Sequence, residues 1–309
     1  MGERARQSDR QGFGAAIAAY GLWGLLPIFF KLLHHVGPVE VVAQRIIWSL
    51  ILIIVLIATR TGIGALTSVL RDRRLVGALA VSAVMIATNW LTYVWAVHAD
   101  HVIAASLGYF LNPLVNVALG VLVLKERLRR GQMVALAVAA LGVVILATAA
   151  LQTLWISVTL AVSFALYGLV RKLTPVAPMA GLGAETLLLT PLALGWLVWM
   201  AMQGTLAFGQ DVPTTGLLIA AGAVTTVPLV LFAVAAQRLP MATLGLLQYL
   251  APTMQFLSGV LLFGETLSRG QIVSFGLIWL GLILFAADSY RAARRDRASA
   301  APKATVDAG

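Results

Sequence analysis

Two full charges, Arg45 and Glu185, stand inside long apolar runs of this chain. A charged side chain in such a run is costly in lipid, so it marks a place where something uses or neutralises it. Glu185 falls 140 residues after Arg45, the spacing that also separates Pro38 from Pro178. Opposite charges at matched positions could neutralise one another or work as a gate. Each also stands early in its run, where a long side chain can snorkel to the interface. Glu185 is in addition the best candidate for a carboxylate that carries a proton.

Uncharged polar residues form a second set. Tyr109, Asn112 and Asn116 fall at i, i+3 and i+7, on one helical face. Pro113 lies among them and lacks an N–H, so the Tyr109 carbonyl is freed for a ligand or water. Pro252 does the same for Gln248, and Gln255 stands where Asn116 would. Paired proline-interrupted spans point to a binding site; the structural alternative is a kink with interhelical hydrogen bonds. Asn89, Trp90 and Tyr93 share another run, and Asn89 aligns with Thr226, beside Pro228. Together with Trp23, such residues would line a cavity for an aromatic or amphipathic ligand, or else pack the bundle and anchor it at the interface. Glu126 and Glu265 follow two runs and read as helix caps or loop ion pairs. His98 and His101, at i and i+3 beside Asp100, could bind a metal, but a loop with two histidines usually does not, and no metal or cofactor is expected. No hydrolase, zincin or dinucleotide motif is present, and without a Walker sequence ATP does not drive this chain.

The elements that must position these residues are transmembrane helices. Hydrophobic residues make up 60% of the 309 and charged residues 11%, against roughly 25% charged in soluble domains. The apolar runs are about twenty residues long, enough to cross the hydrocarbon slab as helix. Ten spans follow: 12–32, 39–59, 75–97, 102–124, 131–150, 153–171, 181–203, 214–236, 241–263 and 270–288. The first is too long for a signal-peptide core and reads as a retained helix. With a cytoplasmic N-terminus, nineteen Lys and Arg fall on the cytoplasmic side and only Lys31 and Arg269 outside, as the positive-inside rule requires. The net charge of +10 is therefore loop charge facing the bilayer, with no nucleic-acid partner implied. The C-terminus is also cytoplasmic, and residues 289–309 read as a disordered basic tail.

The chain also repeats itself. At an offset of 139, Pro113, Gly120, Glu126 and Arg130-Gly131-Gln132 recur as Pro252, Gly259, Glu265 and Arg269-Gly270-Gln271. Each copy holds five spans, so the second enters from the opposite side. The expected fold is an all-α integral membrane protein of ten transmembrane helices in two inverted five-helix repeats. Residues 1–11 form a cytoplasmic N-terminal segment, 12–150 the first repeat and 151–288 the second.

Asn89-Trp90-Leu91, Ala105-Ser106-Leu107-Gly108-Tyr109-Phe110, Asn112-Pro113-Leu114, Tyr167-Gly168-Leu169-Val170-Arg171-Lys172, Val224-Thr225-Thr226-Val227-Pro228 and Gln248-Tyr249 resemble the RarD branch of the EamA-type drug/metabolite transporters. The resemblance runs from about Gly12 to Asp288. It implies a multi-pass permease or exporter of the bacterial inner membrane with a central cavity lined by spans one, three, four, six, eight and nine, which adds Tyr167 to the candidates. The expected function is secondary-active transport of small metabolites or drugs by alternating access, driven by protons or by exchange. A non-transporting receptor or scaffold and a lipid or lipid-linked-sugar flippase are the alternatives. Substrate, direction and oligomeric state do not follow from the sequence.

Overall fold

Backbone groups in lipid must be satisfied within their own segment, which makes each apolar run a helix. The computed structural model describes residues 2–60, 63–123, 125, 128–149, 151–238 and 247–300, and every regular element among them is helical. In chain order these are α1 (Gly2–Gly24), α2 (Leu26–Lys31), α3 (Pro38–Arg60), α4 (Gly64–Arg71), α5 (Arg73–His98), α6 (Val102–Leu122), α7 (Arg130–Ala149), α8 (Leu151–Leu173), α9 (Pro178–Met202), α10 (Val212–Arg238), α11 (Leu250–Leu257) with a π-helical turn (Ser258–Leu262), and α12 (Arg269–Ala300). Among the described residues seven stretches are long and apolar enough to cross a membrane. Three shorter apolar helices, Val102–Asn116, Arg130–Leu146 and Leu250–Leu262, fall on the remaining hydropathy runs.

The chain forms two compact units, Met1–Leu119 with Gln152–Leu267, and Gly120–Leu151 with Ser268–Gly309. The smaller unit is the pair α7 and α12. Arg129, just before α7, bonds through Nε to Asp288 near the far end of the apolar part of α12, at 2.8 Å, so the two helices run antiparallel. Their contact is reciprocal. A Cβ on Gly142 would come within 2.9 Å of the Ile278 side chain and the Ser274 carbonyl. One on Gly281 would come within 2.7 Å of Ala139 Cβ and 2.8 Å of the Ala135 carbonyl. Gly142 and Gly281 are equivalent at the offset of 139, as are Ala135 and Ser274, and Ala139 and Ile278. Each helix thus offers the other the same patch, the signature of a two-fold relation.

In the larger unit α3 packs between α9 and α10, α5 packs on α9, and α1 lies against α10 and α11. Ile53 and Ile57, late in α3, lie beside Gly183, early in α9. The start of α3 meets the far end of α9, because the Glu40 carboxylate accepts the amides of Ala207 and Phe208 at 3.0 Å. These equivalent helices also run antiparallel. Small residues allow close approach: a Cβ on Gly222 would stand 2.5 Å from Trp48, and one on Gly108 would stand 2.8 Å from Leu160.

Glu265 shows what a carboxylate after a span can do. The π-turn and Gly264, at φ +67°, bring it back over the start of α6. There it accepts Val102 N–H at 2.6 Å and Ile103 N–H at 3.0 Å. It therefore caps a helix far away in sequence, satisfying amides that have no partner within α6. Burial pushes its pKa up, against the pull of the two amides. A raised folded pKa means that the stabilisation from this group is fullest at acid pH and is lost as pH rises through that value. Glu265→Gln keeps an acceptor without the buried charge, so the wild-type minus Gln difference in Tm should fall between acid and neutral pH. Glu265→Ala should cost about 1–2 kcal/mol at acid pH and less as pH rises. A pH-independent difference between wild type and Gln would contradict this account. Glu126 lies outside the described residues.

Three expectations change. The first span is not one helix: Pro27 lacks the N–H that would bond Trp23, and the chain turns at Leu25 between α1 and α2. Pro252 does mark an interruption: Leu247 is helical, Gln248 and Tyr249 form a turn, and α11 begins at Leu250 with the proline in its first turn, where a missing N–H costs nothing. Pro113 and Pro228 lie inside α6 and α10, which continue through them, so neither is a break. Residues 241–246 of the expected ninth span lie outside the described residues. The basic segment expected to be disordered continues α12 as helix to Ala300, in keeping with its alanines and arginines.

Candidate substrate site

Aromatic side chains of α2, α5, α6 and α8 line up through the larger unit. Phe30 meets Tyr93 at 6.1 Å, Tyr93 meets Tyr109 at 5.6 Å, Tyr109 meets Phe164 at 6.1 Å, and Phe164 meets Tyr167 at 6.0 Å between ring centroids. Asn89, 1% exposed, fixes the middle of the row. Its Nδ2 donates to the Leu160 carbonyl at 3.0 Å and to Ser163 Oγ at 3.1 Å. Its Oδ1 accepts the Tyr109 hydroxyl at 3.1 Å.

A charge stands at each end of the row. Arg45, 4% exposed, donates through Nε to Thr225 Oγ1 on α10. Its guanidinium lies 4.3 Å from the Trp90 ring centroid and 5.7 Å from that of Phe30, a cation–π cage. At the other end Glu185, 1% exposed, accepts Ser82 Oγ at 2.6 Å and the Tyr167 hydroxyl at 3.5 Å, and lies 3.7 Å from Arg171 Nε. Gly181 leaves room for that arginine, since a Cβ there would stand 1.7 Å from Arg171 Nη1.

Arg45 and Glu185 are therefore not an ion pair, which corrects the expectation of mutual neutralisation. Both side chains are buried within the protein. Their offset of 140 makes them equivalent rather than adjacent: Arg45 on α3 faces α10, and Glu185 on α9 faces α5.

The EamA-like transporter family model matches residues 10–148. RarD of Streptomyces exfoliatus is 44% identical over 297 residues, covering 96% of this chain and 94% of its own. RarD of Escherichia coli K12 is 42% identical over 297 residues, covering 94% and 98%. An uncharacterised transporter of Pseudomonas aeruginosa is 46% identical over 288 residues, covering 93% and 96%. The chain belongs to the RarD branch of the EamA-like transporters. One solved crystal structure, 18% identical, matches with a TM-score of 0.59 over 90% of this chain and 97% of its own, a likeness of fold alone. A RarD-type chain with these apolar helices is a multi-pass bacterial membrane transporter.

The RarD-type chain gathers most of the residues singled out from sequence, though not all in one place. Asn89, Trp90, Tyr93, Tyr109 and Tyr167 belong to the aromatic row and its surround. Trp23 packs against that same core and also meets Tyr20 and Phe232. Gln255, 2% exposed, donates from Nε2 to the Trp23 carbonyl at 2.9 Å, the carbonyl that Pro27 leaves free. Asn112 and Thr226 are each 1% exposed. Buried side-chain atoms without a hydrogen-bond partner among the described residues include Tyr93 Oη, Asn112 Oδ1, Thr226 Oγ1 and Gln255 Oε1, and also Arg171 Nη1. Gln248 is half-buried in the turn before α11. Asn116 is exposed, about one turn beyond the buried Asn112, and does not join the others. The side chain of Pro113 lies outside what is described. Sequence reasoning missed Ser82, Ser163, Arg171 and Thr225, and treated Arg171 as loop charge.

Proposed function

We propose that this chain is a secondary-active transporter that moves a small metabolite or drug across the bacterial inner membrane by alternating access. In this reading both termini are cytoplasmic, and ten membrane-crossing helices form two inverted repeats, residues 12–150 and 151–288. The charge asymmetry between loops supports the orientation. The antiparallel run of α7 with α12, and of α3 with α9, supports the inversion. Inverted repeats that rock about a site near the midplane are a common transporter plan.

The observation that carries the reading is the set of four open polar atoms on Tyr93, Asn112, Thr226 and Gln255. Buried polar groups nearly always have a partner, so side chains left open inside one helical unit suit a substrate site awaiting its cargo. Glu185, tied to Ser82, Tyr167 and Arg171, is the proton-carrying group of this reading.

The test is an untargeted comparison of culture media. Cells overproducing the wild type should accumulate at least one extracellular metabolite. Cells with Asn112→Leu at the same membrane level should release it about tenfold more slowly, the effect of one lost hydrogen bond. Media that do not differ between overproducing and empty-vector cells would count against export. Unchanged release by the variant would remove Asn112 from the site.

A further inference from the structure

The setting of Arg45 bears on what kind of molecule enters. An arginine cannot shed its proton in a protein, so this guanidinium is a permanent positive charge inside an apolar helical unit. Among the described residues its polar and cation–π contacts are one hydroxyl, Thr225 Oγ1, and two ring faces, Trp90 and Phe30. Among the described residues no carboxylate lies within ion-pair distance of it. The other carboxylate of α3, Glu40, is engaged with the amides of Ala207 and Phe208. Glu185 is engaged with Ser82, Tyr167 and Arg171.

Ring faces compensate a buried cation only in part. Cation–π contacts contribute about 0.5–2 kcal/mol, whereas a buried ion costs several. The remaining cost is removed by an anion. A second observation points the same way. Tyr93 meets Phe30, one of the rings that hold Arg45, edge to face at 6.1 Å and is 2% exposed. Its hydroxyl, a hydrogen-bond donor, has no partner among the described residues. A guanidinium and an unpartnered hydroxyl-bearing ring that share the Phe30 ring as neighbour, with Trp90 and Tyr109 alongside, are complementary to a carboxylate carried on a flat apolar body.

We infer that Arg45 and Tyr93 form the anion-recognising head of the substrate site, and that the cargo is a small organic anion with an aromatic or apolar body. The inference rests on the transport reading but adds the charge of the cargo, and the two can fail separately.

The probes are benzoate and its uncharged near-isostere benzamide, added to the purified full chain in nanodiscs at equal ionic strength, with Tm as the readout. Benzoate should raise Tm saturably and benzamide should not. Arg45→Gln should weaken the benzoate response about tenfold or more, the scale of losing a charge-assisted bond. Arg45→Lys should retain part of it, which guards against misfolding of the Gln variant. Tyr93→Phe, which removes only the open hydroxyl, should weaken benzoate several-fold without lowering the ligand-free Tm. Equal responses to the two probes, or a benzoate preference that survives Arg45→Gln, overturns the inference. If the exported metabolites found in culture media are neutral or cationic, transport stands and this inference falls. If benzoate binds as described and no metabolite moves, the anion site stands and transport falls.

Discussion

Leucine in place of Glu185 should cost the fold about 3 kcal/mol and abolish transport. Removing one partner of a buried ion pair leaves the other uncompensated, typically at about 3–5 kcal/mol. The low end applies because the side chain of Arg171 keeps 16% of its exposure, against 1% for Glu185. Ser82 and Tyr167 also lose their acceptor. The unfolding midpoint in detergent reports the first effect. Glu185→Gln separates the second from it, because the amide still accepts from Ser82 and Tyr167 but cannot exchange a proton. In proteoliposomes Glu185→Gln should lose accumulation driven by a pH gradient and keep counterflow of substrate without one. A retained response to the gradient would exclude Glu185 as the coupling group.

Gly181→Ala tests the same pair without touching either charge. The added Cβ would occupy the place of Arg171 Nη1, only 1.7 Å away, so the guanidinium must swing off Glu185. The side chain is flexible and can move, so the fold should survive. The variant should share the coupling defect of Glu185→Gln. Normal coupling would show that Arg171 is not needed to hold or release the proton.

The sequence makes the spans legible because the bilayer imposes a length and a composition on each of them. It makes the buried polar positions legible because lipid penalises them, and Asn89, Asn112, Thr226 and Gln255 are all buried. It does not say whom they meet. Ser82, Ser163 and Thr225 carry no signal, since serine and threonine in a helix commonly bond a carbonyl of their own turn, as Thr225 does with Ala221. Only packing reveals that Thr225 also receives Arg45. The caps by Glu40 and Glu265 are hidden for a related reason: each joins residues more than 160 positions apart. The Arg45–Glu185 pairing fails on logic rather than on composition. A repeat offset identifies equivalent positions, and in antiparallel helices equivalent positions touch only near the crossing point. The break after α1 was readable in Pro27, but the apolar run hides it because hydropathy does not register a missing amide.

Asn89→Leu should be the most damaging change among the uncharged residues. The side chain is nearly isosteric, so loss of packing is small and the hydrogen bonds decide. Three are lost, to the Leu160 carbonyl, Ser163 Oγ and the Tyr109 hydroxyl. Measured interhelical bonds in membranes average about 0.6 kcal/mol each, which gives roughly 2 kcal/mol for the three. The cost of leaving one buried hydroxyl unsatisfied, about 1–3 kcal/mol, gives the same size from the other direction. The loss should not be distributed evenly. Ser163 keeps its bond to the Leu160 carbonyl at 3.3 Å, so Tyr109 is the group left stranded in the middle of the aromatic row. The double variant Asn89→Leu, Tyr109→Phe should therefore recover part of the lost stability, because it removes the stranded hydroxyl as well. Unfolding midpoints of the two single variants and the double complete the cycle. Additive losses would mean that the Tyr109 hydroxyl does not depend on Asn89, and the row would then be held by packing alone.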